Sequence, residues 1–247
     1  MSGSEAVDEV VARMQSRLDV LPDDSARRPF LSTYLRTTAA VGKAVGGGTF
    51  VDAAWVERWD VAFVELYLSA HDAFLTGDAA AVPRPWRLAF TAPDDLPALR
   101  QVLLGINAHV NYDLPQAMLA VISPSDFDDP AILDRRRIDH ERIDGILAGR
   151  VAAEDELLGD ARTLLDRVLT PLNRLGSKRF LREARLKVWH NLIELDAARR
   201  QGPEALAVRL GELEVLSAAR IADLLAPGQV LLRLAVAGFG VVLPPAG

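Results

Sequence analysis

Leu96-Pro-Ala-Leu-Arg100-Gln-Val-Leu-Leu-Gly105-Ile-Asn107-Ala-His109-Val-Asn111-Tyr-Asp113-Leu-Pro115-Gln-Ala-Met118 contains only two charged residues, Arg100 and Asp113. A helix that is apolar on nearly every side is one surrounded by other helices. This segment, read as helical over about residues 96–111, therefore belongs at the centre of a bundle. Outward from it, almost every stretch repeats its apolar residues with a 3.6-residue period, and no alternating β-branched run competes. Helices are expected over about residues 4–18, 25–45, 52–75, 130–148, 152–174, 178–200 and 204–225. Asp52 stands as a cap, Asp129-Pro130 as a start, Ser177 as a further cap and Pro203 in a first turn. The apolar tail from Pro227 reads as a short helix or a packed arm. With no repeat, low-complexity tract or linker, the expectation is all-α: one domain over residues 1–247, a bundle of about eight helices.

Composition supports a folded core and narrows the function. Of 247 residues, 50% are hydrophobic and 25% charged, and the mean hydropathy is +0.12. The chain has no cysteine, which excludes thiolate metal sites, disulfides and cysteine nucleophiles. A net charge of −6 argues against nucleic acid or an anionic membrane as partner. No uncharged apolar run approaches the ~20 residues of a membrane span. The opening Met1-Ser-Gly-Ser-Glu-Ala-Val-Asp is acidic where a secretory leader is basic, so a cytoplasmic location is expected. A small-molecule ligand or substrate is the expected partner, with a second copy of the chain, a homodimer, left open.

The central segment carries more polarity than packing needs. Burying two asparagines, a histidine and an aspartate costs several kcal/mol unless each is hydrogen-bonded or bound to something. At 100° per residue, His109 and Asp113 share one face, with Gly105 one turn earlier leaving space beside the imidazole; Asn107 and Asn111 share the opposite face. Pro115 withholds the backbone donor that the Asn111 carbonyl would use. One reading is a polar layer that fixes helix register. The other is a site, with His109, Asp113, Asn107 and Asn111 as its catalytic candidates.

Gly105-Ile-Asn-Ala-His-Val-Asn-Tyr-Asp-Leu114 resembles the signature of a family of uncharacterised, mostly actinobacterial helical proteins, Gly-hydrophobic-Asn-Ala-His-hydrophobic-Asn-x-Asp-Leu. The resemblance extends to Phe50-x-Asp52, Phe63-Val-Glu-Leu-Tyr67-Leu, Trp86, Arg142-Ile-Asp144 and Arg185-x-x-x-Trp189-x-Asn191. The family pattern usually has Asn where this chain has Asp144. The resemblance implies an all-α fold and no particular activity. The late Arg185, Trp189 and Asn191 are candidates for binding substrate and for partnering the central polar groups.

Three of the four histidines have an acid four residues on: His109/Asp113, His140/Asp144 and His190/Glu194. Such a pair offers one nitrogen and one oxygen from a single helix face, the way bundles build divalent-metal sites. His109, Asp113, His190 and Glu194 are the candidate metal ligands. His109-x-x-x-Asp113-x-x-Gln116 is also similar to a segment of the all-α zinc phospholipase C and single-strand nuclease family. This chain lacks that family's N-terminal tryptophan and further ligand histidines. His140 lies in a highly charged stretch and reads as half of a surface pair. Asp60, Tyr67 and His71 lie on one stripe of the 52–75 helix, which makes Tyr67 and His71 candidates for contacting substrate. Trp55 and Trp59 read as core.

These residues leave three functions open. One is a hydrolase assisted by a divalent metal. Another is a cofactor-independent cyclase, lyase or isomerase of a hydrophobic metabolite, with His109 and Asp113 as its acid–base pair and the Asn107 and Asn111 amides holding an oxygen. The third is a non-catalytic module that binds a small molecule or a partner helix. In the second, the Asp113 charge is expected to raise the His109 pKa, and His109→Ala to abolish activity at little cost in stability.

Overall fold

Capping side chains and prolines place the helix starts where the chain turns inward. A computed structural model describes residues 5–157, 164–228, 238 and 240–245. Its helices are α1 (Glu5–Val20), α2 (Arg28–Gly46), α3 (Ala53–Leu75), α4 (Arg84–Phe90), α5 (Ala98–Ala108), α6 (Leu114–Val121), α7 (Pro124–Asp128), α8 (Pro130–Leu157), α9 (Leu164–Gln201) and α10 (Pro203–Leu225). A five-residue π-helical turn, His109–Asp113, joins α5 to α6. There is no strand among the described residues, and the fold is an all-α bundle.

The run α5–π–α6 is central. Its first half packs on α2, α4 and α10, and its second half on α3 and α9. Two apolar clusters flank it. One gathers Phe30, Tyr34, Tyr67, Trp86, Phe90 and Leu104; the other gathers Trp55, Trp59, Met118, Val188, Leu192 and Leu213. Trp55 and Trp59 stack at 5.3 Å in that second cluster, as core residues. Asp52 caps α3 by accepting from the Trp55 N–H at 2.9 Å. Asp139, fully buried, accepts the N–H groups of Val51 and Asp52 at 2.7 Å each, tying α8 to the start of α3. Arg100, the one cation of the central run, donates to the carbonyls of Leu224 and Ala226 at the end of α10, where helix carbonyls lack internal partners.

Two expected helix boundaries differ. The α8 helix runs past residue 148 to Leu157, and α9 is continuous through Gly176-Ser177, so Ser177 is no cap. A glycine inside a helix costs only about 1 kcal/mol against alanine, which a long helix absorbs. The turn that does need glycine is Gly202, at φ 128° between α9 and α10. The expected cap Ser4 lies outside the described residues. The described end of the tail, residues 240–245, is a non-helical arm with Val241 and Leu243 buried.

Gly105 is not a space beside the imidazole. A Cβ there would lie 2.3 Å from the Phe30 ring and 2.9 Å from Phe30 Cβ. The glycine exists so that α2 can approach α5. Because the obstruction includes the Phe30 stem, it cannot swing away. Gly105→Ala should therefore destabilise the fold by roughly 1–3 kcal/mol, the range for overpacking a core. Chemical denaturation would measure it, and a stabilised alanine variant would contradict this packing.

Candidate functional site

Pro115 sets the local geometry of the central run. It has no N–H, and its ring collides with the carbonyl four residues earlier. The helix widens there, and the Leu114 N–H donates to the His109 carbonyl five residues back. Such π turns interrupt α-helices frequently at functional positions. This one carries His109, Asn111 and Asp113 into the interior. Asn107, His109, Asn111 and Asp113 are 0%, 3%, 1% and 2% exposed, as the segment's apolar setting required.

The two faces of the segment do different things. His109 Nδ1 lies 2.8 Å from Asp113 Oδ2, and the Trp86 indole N–H donates to the same oxygen at 2.7 Å. An indole nitrogen only donates, so one oxygen of Asp113 accepts from Trp86 and is also bonded to the imidazole Nδ1. His109 Nε2 is buried and makes no hydrogen bond. Phe63 stacks flat on the imidazole at 3.5 Å and 5°, and Tyr34 meets it edge-on at 4.4 Å. Rings of Trp86, Phe30 and Tyr67 complete the enclosure at 5.8, 6.0 and 6.2 Å. On the other face, Asn111 donates to the Asn107 side-chain oxygen at 3.2 Å, and Asn107 donates to the Leu103 carbonyl at 2.8 Å. The asparagines form a ladder along their own helix.

Burial governs the electrostatics. It pushes the His109 imidazole below its ordinary value, outweighing the upward pull of Asp113. The upward shift expected from the sequence is thus reversed, because desolvation of a fully enclosed ring exceeds one charge partner. Burial also raises Asp113, against the lowering from its His109 and Trp86 bonds. A third group, Asp60 on α3, is 6% exposed, and burial alone pushes it up to about 7.

The candidate substrate contacts divide. Tyr67 belongs to the His109 enclosure; His71 lies behind it, with its ring 5.7 Å from Tyr67 and edge-on to Phe90 at 6.0 Å. Burial lowers His71, which stays neutral. Arg185, Trp189 and Asn191 lie elsewhere. Arg185 donates to the His140 carbonyl, and Trp189 packs against the His140 ring at 5.9 Å. Asn191 donates to the Val241 carbonyl at 3.0 Å and accepts the Leu243 N–H at 2.8 Å, so it fastens the tail.

The four candidate metal ligands are not brought together. His190 Nε2 donates to the Leu243 carbonyl at 2.9 Å, and Glu194 pairs with Arg209 at 2.9 Å. Among the described residues, no three His, Cys, Asp or Glu side chains are grouped to hold a metal ion. His190 and Glu194 are spent on the tail and on Arg209, which leaves the His109/Asp113 pair alone, too few ligands for a divalent metal among the described residues. His140 is also not a surface residue. It is 1% exposed, and burial beside Arg185 holds it well below the ordinary histidine range. The Asp144 side chain lies outside the described residues.

Phe63 and Trp86 appeared in the sequence only as part of a family likeness, and Tyr34 and Thr38 gave no signal. What joins them is contact between helices distant in sequence. Over residues 7–227 the chain matches DUF5995, a family of unknown function. The chain belongs to this family. No curated protein and no solved structure matches it. The match spans both apolar clusters except the tail, and it includes every residue of the His109 enclosure.

Asp60 carries a pH-dependent penalty. Its unfolded value is near 3.8 and its folded value about 7. Ionisation therefore opposes folding progressively above pH 4, and the whole penalty is present above pH 7. Asp60→Asn should make the protein more stable than wild type at pH 8, by an amount on the order of a few kcal/mol. That advantage should shrink as pH falls from 7 towards 4. Urea melts at pH 8 and pH 5 would show it; an equal difference at both values would contradict the assignment.

Proposed function

We propose that this protein is a cofactor-independent acid–base enzyme, of the isomerase, lyase or cyclase type, acting on a small and largely apolar metabolite. The single observation that carries the reading is His109: one ring nitrogen bonded to the Asp113 carboxyl, the other buried and unpartnered. A proton acceptor of that kind needs the ring held in one tautomer and orientation. Asp113 does this by hydrogen bond, Trp86 by holding Asp113, and Phe63 by stacking. Asp113 and Trp86 are positioning residues. The lowered His109 pKa keeps the ring neutral at neutral pH, and with its proton on Nδ1, towards Asp113, Nε2 is the nitrogen that accepts. Asn107 and Asn111 fall outside this chemistry, because their amides are engaged along the helix.

A non-catalytic binding module is the second reading, favoured by the near-complete enclosure of His109 among aromatic rings. Both readings make Nε2 the recognition point, and they differ in whether the ligand is changed.

A thermal-shift screen with neutral alcohols, ketones and lactones tests both. A true ligand at about 100-fold its Kd should stabilise wild type by nearly 3 kcal/mol, roughly 5–10 °C for a chain of this size. His109→Gln should lose that shift. Glutamine is the informative substitution, since alanine would also empty the stacking position on Phe63. Proton NMR of the ligand after incubation separates an enzyme from a binder. An equal shift in wild type and His109→Gln would remove His109 from the site.

A further inference from the structure

The arm over residues 240–245 is gripped by α9 and α10 through its main chain. Lys187 donates to the Gly240 carbonyl at 3.2 Å and His190 to the Leu243 carbonyl at 2.9 Å. The Asn191 amide donates to the Val241 carbonyl at 3.0 Å and accepts the Leu243 N–H at 2.8 Å. Arg209 donates to the Pro244 carbonyl. In an extended chain a carbonyl and the N–H two residues on point to the same side, so the Asn191 amide bonds the arm as one residue of a parallel strand would. Exposure alternates to match: Val241 is 8% exposed, Val242 45% and Leu243 0%. Successive side chains of an extended chain point to opposite faces, and one face of the arm is sunk against the helices. Gly240 lets the main chain lie close to α9, since a Cβ there would stand 2.6 Å from Lys187 Cδ.

Two further observations separate the groove from its occupant. Lys187, His190, Asn191 and Arg209 lie within the family match over residues 7–227, whereas the arm lies beyond it. The groove also continues past the arm. A cavity of about 610 Å3 opens beside Pro244, lined along α10 by Val208, Gly211, Val215 and Leu216, and Val208 and Val215 are 62% and 50% exposed. Of the described arm, only Pro244 reaches it.

We propose that the α9–α10 face is a binding groove for an extended peptide of the pattern Gly-Val-x-Leu-Pro, and that the arm is a tethered copy of that ligand, which a peptide from another molecule can replace. This site is independent of the chemistry at His109. Peptide grooves hold a backbone by hydrogen bonds that any sequence can make, and they read it through pockets for alternate side chains. Here the pockets take the residues at 241 and 243, and the close approach to Lys187 takes glycine at 240. Proline at 244 restricts the residue before it to extended backbone, which prepares the ligand for the groove. Lys187 is paired with Glu183, and Arg209 with Glu194 and Glu212, so the peptide needs no charge at these positions. A ligand that continues beyond the proline has the Val208 and Val215 surface to cover. A tethered ligand competes at high effective concentration, so a free peptide enters readily only when the arm is disabled.

The test uses the full chain carrying Val241→Asp and Leu243→Asp, with a fluorescein-labelled peptide of residues 238–245, Gly-Phe-Gly-Val-Val-Leu-Pro-Pro, read by fluorescence anisotropy. The disabled-arm variant should bind the peptide at least about 10-fold more tightly than wild type, whose own arm competes. Two control peptides, one with serine in place of Val241 and Leu243 and one N-methylated at the Leu243 amide, should each bind the variant about 10-fold more weakly or worse. That is the size of a lost apolar pocket or of an acceptor left unpaired. Circular dichroism melts establish that the variant is folded; Val241→Ser with Leu243→Ser replaces it otherwise. If neither folds, the arm is part of the core and the proposal is overturned. A folded variant that leaves the peptide unbound, or binds either control as well as the parent, would overturn the groove. Equal binding by wild type and variant would overturn the arm as its resident ligand.

Discussion

An imidazole and a carboxylate set into a helix with other helices on all sides must find their partners inside the protein. That constraint organises much of this bundle. The Asp113 oxygen takes two N–H donors, one from its own helix and one from α4. This bond to Trp86 holds a short seven-residue helix against the centre, although a helix of that length is marginal alone. Phe63 lies flat on the imidazole and brings α3 into contact with the π turn. Phe30 fits where Gly105 has no side chain and brings α2 up to α5. Three helices thus depend on one polar pair and the glycine that precedes it.

The opposite side of the bundle is organised by arginines and by the tail. Arg209, 8% exposed, pairs with Glu194 and Glu212 and donates to the Pro244 carbonyl. Lys187 donates to the Gly240 carbonyl at 3.2 Å, and His190 and Asn191 hold residues 241–243. Each of these side chains has at least one partner supplied by the fold itself. On the His109 side, by contrast, the imidazole Nε2 is buried without a hydrogen-bond partner.

The central position of residues 96–118 was legible because composition alone excludes solvent from nearly every side of that helix. The Asp52 and Asp129 caps were legible because a short acceptor before a helix has one efficient use; Asp129 accepts the Ala131 N–H at 2.9 Å. The π turn was missed because Pro115 was read as freeing a carbonyl, whereas the ring also displaces the backbone and changes its register. Gly105 was misread for a related reason: a missing side chain signals proximity as readily as emptiness, and only the position of Phe30 decides between them. His140 shows the limit of local charge as a guide. Its neighbours in sequence are exposed arginines and acids, yet its own face of α8 packs against Trp59 and Trp189. The recurrent histidine–acid spacing suggested a shared metal, but i,i+4 geometry brings together only residues of one helix. Whether two such pairs meet depends on helix packing that the spacing does not encode.

The partition of charge in the core carries the argument one step beyond packing. A bundle selected for stability alone would place leucine at 109 and alanine at 113, and would not bury Asp60, whose ionisation opposes folding at neutral pH. These groups persist in an interior whose remaining members are well packed, with Trp55, Trp86, Tyr67 and Leu104 all almost completely buried. Conformational specificity could be secured by the Asn107–Asn111 ladder, which is hydrogen-bonded along its helix. It does not require a buried imidazole with one nitrogen left without a partner. Unrelieved desolvation of that kind is stored where chemistry uses it. On the proposed reading, the working part of this protein lies around His109 at the π turn, away from the tail-binding face of α9 and α10.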